Sequence, residues 1–207
     1  RALFNHILGS IDGEDGATCY MVPVGSGVRR EYADMQRSFT CCVGTGMESH
    51  ALHGLGLYYE GGNRLWVNVY APSTAQWEAA GVKLSMETSF PEGETAALTL
   101  DLRAPKSFTI ALRRPSWAGK GSEVRVNDKT VAQRLRNGYD EITRTWNAGD
   151  EISVVLPKTL RLERLSDSPK KAVVMWGPLV LAGDLGAAPR RRDDGDGDGV
   201  RAAAPEP

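Results

Sequence analysis

Two adjacent cysteines, Cys41 and Cys42, are the side chains of this sequence best suited to chemistry. They open the segment 39–50, in which Gly44 and Gly46 interrupt a helical pattern. Neighbouring cysteines rarely bond to each other, because the small ring strains the peptide between them. Both thiols could instead bind one soft metal ion, and a helix N-terminus lowers a thiol's pKa and so favours the thiolate. A structural zinc ion takes four ligands, and this pair supplies only two of them. The alternative interpretation is therefore that both cysteines are buried, inert side chains.

Other candidates lie close to this pair in sequence. Glu48 follows it on the same predicted helix, where it could line a site or face solvent. His50 and His53 are three residues apart and could share a helical face, although histidines without nearby carboxylates usually serve packing. Glu48 and His50 are therefore kept as candidates for contacting a substrate or supporting the metal ligands. Cys19, in a Gly/Asp-rich segment, is interpreted as a structural thiol.

The elements that would position these residues change character along the chain. Apolar residues at helical spacing predict a helix over residues 3–8 and a second short helix after the cysteines. Between them, the runs 17–24 and 28–33 are joined by Gly25-Ser26-Gly27, which predicts a hairpin. The first part of the chain is therefore predicted to be partly helical.

From residue 65 onward the apolar residues alternate with a period of two. Turn residues separate the runs at 91–93, 127–128, 137–138 and 148–150. This pattern predicts a mainly β fold, an antiparallel β-sandwich. The inner face is predicted to carry Leu100, Ile110, Val126, Ile152 and Val154. Of the five tryptophans, Trp77 and Trp117 have loop-like contexts and are the two expected to be exposed.

Composition excludes several classes of function. The 207 residues carry a formal net charge of −1, which offers no footprint for nucleic acid or an anionic membrane. No signal peptide or membrane-spanning run is visible, and localisation stays open. The chain opens with Arg1 inside an apparent helix, so we expect the natural N-terminus to lie upstream. Residues 187–207 have nothing to bury and are predicted to be a disordered acidic and Pro/Ala linker or a truncated loop.

Several blocks of this sequence carry a family resemblance. They occur in the family's order, at residues 1–8, 39–48, 65–73, 87–91, 114–118 and 176–183. They resemble the β-L-arabinofuranosidases, the zinc-dependent cysteine glycosidases of glycoside hydrolase family 127. The resemblance implies that residues 1–58 are the last helices and hairpin of an (α/α)6-barrel catalytic domain. Residues 59–186 would then form the β-sandwich domain, and the chain would be a C-terminal fragment.

The resemblance also implies a chemistry for the cysteine pair. Family members hold Zn²⁺ with three cysteines and one glutamate, and the first cysteine of the pair is the nucleophile of a retaining glycosidase. Cys41 would be nucleophile and zinc ligand, and Cys42 a zinc ligand. The other ligands and the acid/base glutamate belong upstream, in a Glu-x-Cys motif that residues 1–40 do not contain. The parent protein is therefore expected to be an enzyme, and this chain alone inactive with an incomplete zinc site.

The implied partner is a glycan or glycopeptide that contains arabinofuranoside. Binding to nucleic acid or to a membrane is not expected. Assembly into a homo-oligomer is possible and stays undecided. The alternative is a non-catalytic β-sandwich module that binds carbohydrate or supports a partner domain. A Glu-x-Cys motif upstream of Arg1 would favour the enzyme over this module.

Overall fold

The computed structural model describes residues 2–23, 28–34, 36–38 and 40–183. The described residues fall into two compact units. Residues 53–163 and 175–178 form the sandwich unit, and the remaining described residues form the N-terminal unit. Within the described residues, no helix has both the length and the apolar character needed to cross a membrane.

The N-terminal unit contains the predicted helical segments. A π-helical turn, Leu3–Ile7, continues into a 3-10 turn, Leu8–Ser10, and helix α1 spans Cys41–Ala51. Among the described residues of this unit α1 is the one α-helix, so the structure does not show the barrel that the resemblance implies.

The predicted hairpin of residues 17–24 and 28–33 is only partly right. Cys19 and Tyr32 form an isolated antiparallel bridge, and its turn, residues 25–27, lies outside the described residues. The backbone of the first run is engaged elsewhere, because the amide of Cys19 donates to the Ser10 carbonyl oxygen over 2.8 Å. The backbone of residues 17–24 therefore pairs mainly with residues that precede it in the chain.

The rest of the described chain is built of short strands. In chain order they are β1 (Tyr58–Gly61), β2 (Arg64–Val67), β3 (Ser73–Trp77), β4 (Val82–Thr88), β5 (Thr95–Leu102), β6 (Lys106–Arg113), β7 (Glu123–Val126), β8 (Lys129–Thr130), β9 (Arg134–Arg136), β10 (Tyr139–Trp146), β11 (Glu151–Val155), β12 (Leu160–Arg164), β13 (Ala172–Trp176) and β14 (Leu179–Leu181). Short 3-10 turns lie at His53–Gly56 and Glu78–Ala80.

These strands form a sandwich of two sheets and a third, smaller sheet. The first sheet has the order β1-β2-β6-β10-β9 and the second β3-β4-β5-β11-β7-β8, while β12-β13-β14 form the third. Side chains from the first two sheets meet in one apolar core. The predicted inner-face residues all belong to it, with exposed fractions of 3% or less: Leu100, Ile110, Val126, Ile152 and Val154. The prediction of a mainly β fold is confirmed.

One strand pair departs from the predicted antiparallel arrangement. β2 pairs with β6 in parallel, with Leu65 opposite Ile110. The chain leaves the first sheet after β2, forms β3, β4 and β5 of the second sheet, and returns as β6. Because this crossover replaces a hairpin, the two neighbours run in the same direction.

The prediction of an exposed Trp77 is wrong. This side chain is 4% exposed, because β3 extends through residue 77 and carries the indole into the core. Its ring meets Phe108 edge to face, with 5.3 Å between centroids. Trp117 is partly buried and stacks on Phe90 with 5.8 Å between centroids.

Two predicted turns have the backbone of a tight hairpin. Asn127 and Asp128 have φ angles of 49° and 61°, and Asn137 and Gly138 have φ angles of 51° and 80°. Two successive residues with positive φ match the twist of the flanking strands, and Asn, Asp and Gly tolerate that conformation best. The turns join β7 to β8 and β9 to β10.

Asp150 organises the turn between β10 and β11. Its carboxylate accepts hydrogen bonds from the side-chain amide of Asn127 (2.9 Å) and the backbone amide of Asn147 (2.9 Å). Burial alone would raise the pKa of Asp150, but the hydrogen bonds from Asn127 and Asn147, together with the positive charge of Arg144, outweigh it, and the pKa lies below its ordinary value. The folded state therefore favours the ionised carboxylate.

This shift predicts an acid-dependent loss of stability. Because the folded pKa is lowered, the stabilisation by Asp150 is complete above the unfolded pKa of about 3.9 and disappears as pH falls through the folded pKa. We expect Asp150→Asn to lower the free energy of unfolding by about 1–3 kcal/mol at pH 7, and the gap from wild type to narrow as the pH falls below the unfolded pKa. Urea unfolding at several pH values measures it. The exposed Asp101, as Asp101→Asn, is the control, and an equal pH dependence of both variants would contradict the assignment.

Candidate active site at the start of helix α1

Cys41 and Cys42 occupy the first two positions of α1. Thr40 precedes them in an extended conformation (φ −103°, ψ 161°), and its carbonyl oxygen accepts a hydrogen bond from the amide of Val43 over 3.1 Å. Its side chain makes no capping hydrogen bond. The first amides of a helix have no intrahelical acceptor, and together with the helix dipole they favour negative charge at this end. Both cysteines are free thiols and exposed, which does not fit the alternative of inert, buried side chains.

The separation of the two sulfurs fits shared binding of one metal ion. Their Sγ atoms are 3.9 Å apart, far beyond the roughly 2.0 Å of a disulfide. Two thiolates bound to one tetrahedral zinc at about 2.3 Å each would lie about 3.8 Å apart. The pair therefore fits two of the four ligand positions. No group of three or more metal-binding side chains occurs within the described part of the chain.

The two sulfurs also affect each other's protonation. The hydrogen bond with Cys41 raises the pKa of Cys42, and desolvation and the charge of Cys41 act in the same direction. Cys42 therefore holds its thiol proton more strongly than an isolated cysteine does. A divalent cation reverses this preference, because it favours the thiolate form of each ligand.

The periodicity of α1 separates the other two candidate residues. Glu48 follows Cys41 by seven residues, which places it on the same face, about 10 Å further along the axis. It is exposed. That distance is too long for Cys41 and Glu48 to bind one metal ion together. His50 follows Cys41 by nine residues and lies on the opposite face, with the buried Val43. The roles suggested for Glu48 and His50 stay predictions.

Cys19 lies in the same unit in a different environment. Its side chain is 6% exposed, and its thiol donates a hydrogen bond to the carbonyl oxygen of Met21 over 3.3 Å. A buried thiol with a backbone acceptor behaves as a small packing residue. This geometry agrees with the interpretation of Cys19 as a structural thiol.

Sequence reasoning missed a cavity within the sandwich unit. It has a volume of about 530 Å³ and lies where β6 ends and β10 begins, against the segment that follows β6. Its polar lining includes Arg113, Ser116, Asn137 and Tyr139. The alternation of strand residues could have placed Arg113 and Tyr139 on outer faces, but only the register shows that they are opposite one another.

Comparison with sequence profiles places the chain among the glycoside hydrolases. Residues 1–55 match the catalytic domain, and residues 64–158 the middle domain, of β-L-arabinofuranosidases of family GH127. The chain belongs to the GH127 β-L-arabinofuranosidase family. A search of curated proteins gave no match.

Solved structures share the fold. One is a GH127 β-L-arabinofuranosidase from Geobacillus stearothermophilus T6, with 24% identity and a TM-score of 0.73 over 86% of this chain and 31% of the other. A second, described as a glycoside hydrolase, has 25% identity and a TM-score of 0.74 over 86% and 32%. A GH127 β-arabinofuranosidase has 21% identity and a TM-score of 0.69 over 86% and 31%. The chain thus spans about a third of the length of these structures.

Proposed function

We propose that the protein containing this chain is a retaining glycosidase that releases β-linked L-arabinofuranose, with Cys41 as its nucleophile. The observation that carries this proposal is the exposed cysteine pair at the start of α1, within the residues that match the family's catalytic domain. An exposed thiol at a helix N-terminus is in the environment that favours a reactive thiolate. The names of two similar structures, which describe β-arabinofuranosidases, support the choice of sugar.

The proposed reaction has two displacements. The thiolate of Cys41 attacks the anomeric carbon, a carbon–sulfur bond forms, and the glycosidic carbon–oxygen bond breaks while an acid donates a proton to the leaving oxygen. Water then attacks the same carbon, the carbon–sulfur bond breaks, and the thiolate is restored. Two inversions give overall retention, as in retaining enzymes with a carboxylate nucleophile. The free amides of the first turn of α1 would stabilise the thiolate in both its roles.

The proposed cofactor is Zn²⁺, which Cys41 and Cys42 would hold with two further ligands from outside the described residues. When bound, zinc would keep a thiol deprotonated at neutral pH and moderate its basicity. The hydrogen bond from the Thr45 hydroxyl to the Cys41 carbonyl oxygen, at 3.1 Å, holds the first turn that carries both sulfurs. On the same face, the exposed Glu48 would contact the glycan rather than the ion.

A trapped intermediate tests this proposal most directly. The full-length protein is incubated with an activated aryl β-L-arabinofuranoside, quenched in acid, digested and examined by mass spectrometry. We expect the peptide that contains Cys41 to gain the mass of one anhydropentose, with fragmentation placing it on Cys41 rather than on Cys42. Turnover without such an adduct, or an adduct on a carboxylate, would overturn the assignment of the nucleophile.

Cys42→Ser provides a separate prediction on metal binding. A hydroxyl is a much weaker zinc ligand than a thiolate, so this variant of the full-length protein is expected to bind zinc at least about tenfold more weakly. Competition with a chromophoric chelator measures the affinity without any activity assay. Cys19→Ser, which changes a buried thiol, is the matched control and should bind zinc like wild type. Equal zinc affinity of Cys42→Ser and wild type would remove Cys42 from the ligand set.

A further inference from the structure

Helix α1 contains two glycines close to its start, Gly44 and Gly46. A glycine inside a helix is less favourable than an alanine, because its backbone loses more conformational freedom on folding. Gly44 follows Cys41 by three residues, so the two residues are neighbours on the surface of the helix. A destabilising residue beside the proposed nucleophile therefore needs a physical reason.

The described fold gives no packing reason for a glycine at position 44. Apart from its chain neighbours and the backbone of α1, no atom of the described residues lies within 4 Å of the position that a Cβ would take there. The backbone does not require glycine either, because Gly44 is not among the residues with positive φ. Alanine would therefore fit at position 44 without displacing a described neighbour.

Position 44 does control the space around the sulfur of Cys41. A side chain on a helix leans toward the N-terminus and covers the preceding turn, so residues 44 and 45 are the ones that would cover Cys41. Thr45 is short, and its hydroxyl donates to the Cys41 carbonyl oxygen over 3.1 Å. Gly44 has no side chain at all. One side of the Cys41 sulfur is therefore left open.

The other side of this sulfur faces Cys42. At about 100° per residue, Cys42 lies to one side of Cys41 around the helix axis, and Gly44 lies about 60° to the other side. The Sγ atoms of the two cysteines are 3.9 Å apart. An ion bound by both sulfurs would lie between them, on the Cys42 side. The Gly44 side therefore remains for the approach of a substrate to Cys41.

We propose that Gly44 determines which molecules reach the sulfur of Cys41, because it leaves free the space that a furanose ring occupies during the attack. The reaction part of this inference rests on the proposed function, whereas the access part rests on the geometry of α1 alone. A side chain at position 44 would favour the helix and obstruct the sulfur. Stability and access are therefore expected to change in opposite directions.

Two variants of graded size test the proposal in the full-length protein. Gly44→Ala adds one methyl group and Gly44→Leu a longer side chain that leans over Cys41, and both favour a helix over glycine. With an aryl β-L-arabinofuranoside, we expect kcat/KM to fall at least about tenfold for Gly44→Ala and at least about a hundredfold for Gly44→Leu. The Tm of both variants should equal that of wild type or rise by about 1–3 °C.

Thiol labelling measures access to the sulfur without turnover. The zinc-free full-length protein is treated with iodoacetamide or with the bulkier N-ethylmaleimide, and mass spectrometry follows the rate of labelling at each cysteine. In Gly44→Leu, the ratio of the maleimide rate to the iodoacetamide rate at Cys41 should fall at least about fivefold, because the bulky reagent meets the added side chain. The ratio at Cys42 should stay within about twofold, since position 44 lies about 200° from Cys42 around the axis.

Gly54→Ala and Gly54→Leu are the matched controls, because they make the same changes outside α1. Gly54 lies in the 3-10 turn His53–Gly56, and no described atom beyond its chain neighbours and that turn lies within 4 Å of its Cβ position. Both controls are expected to keep kcat/KM and the labelling ratio within about twofold of wild type.

Three results would overturn the proposal. A lower Tm in Gly44→Ala would show that packing requires the glycine. An unchanged kcat/KM or an unchanged labelling ratio at Cys41 in Gly44→Leu would show that nothing approaches the sulfur from this side. Equal losses in the Gly54 controls would show that the effect does not depend on Cys41.

The outcomes also distinguish this inference from the proposed glycosidase. If the trapping experiment finds no sugar on Cys41, the reaction part of the inference fails with the proposed function, and the labelling ratio still measures access. If the labelling ratio does not change, a sugar trapped on Cys41 still supports the nucleophile. The two proposals therefore fail by different measurements.

Discussion

Replacement of Cys41 by serine is expected to lower the turnover of β-L-arabinofuranosides by the full-length protein at least about a thousandfold. A serine hydroxyl keeps its proton at neutral pH and binds zinc poorly, so the variant lacks both the nucleophile and one metal ligand. The loss should fall on kcat more than on KM, because the thiolate acts on the bond that breaks rather than on binding of the ground state. Steady-state kinetics with an aryl β-L-arabinofuranoside measures it.

Cys19→Ser is the matched control for this experiment. It makes the same chemical change at a buried thiol whose hydrogen bond to the Met21 carbonyl oxygen a hydroxyl can reproduce. Its kcat is expected to stay within about twofold of wild type, and circular dichroism should show both variants folded. Near-normal turnover by Cys41→Ser would exclude Cys41 as the nucleophile, and an equal loss in Cys19→Ser would attribute the effect to folding.

Trp146→Ala is expected to cause the largest loss of stability in the sandwich unit, about 3–5 kcal/mol in the free energy of unfolding. Trp146 is fully buried, and its ring lies 6.0 Å from that of Phe108 between centroids. Its indole N–H donates to the Phe108 carbonyl oxygen over 3.1 Å. Truncation would leave a cavity and remove a buried hydrogen bond, and both effects lower stability. Urea unfolding followed by circular dichroism measures the difference.

Two further variants separate the causes. Trp146→Phe keeps most of the buried ring but loses the indole donor, so its loss of stability should be smaller, about 1–3 kcal/mol. Leu162→Ala truncates a side chain that is 71% exposed and should change stability by less than about 0.5 kcal/mol. A loss in Leu162→Ala comparable with that in Trp146→Ala would show that the burial of these residues is misassigned.

The local patterns of the sequence were enough to predict the strands and their inner faces. Alternation placed Leu100 and Ile152 in the core because successive side chains of a strand point to opposite faces, and burial favours one of them. The turns at Asn127-Asp128 and Asn137-Gly138 were equally predictable, because only a few residue types tolerate positive φ. The cysteine pair at the start of α1 could also be predicted as a candidate site, because its chemistry and its position at a helix start depend on neighbouring residues alone.

Only the tertiary structure decided which strands are neighbours. The parallel pairing of β2 with β6 depends on where the chain goes between them, and no pattern within either strand encodes that path. Trp77 resembled a loop residue and lies in the core, because its environment is supplied by Phe108, far along the chain. Arg113 and Tyr139 face each other across β6 and β10 for the same reason. Secondary structure depends on near neighbours, whereas strand order, burial and the composition of a cavity depend on contacts between residues distant in sequence.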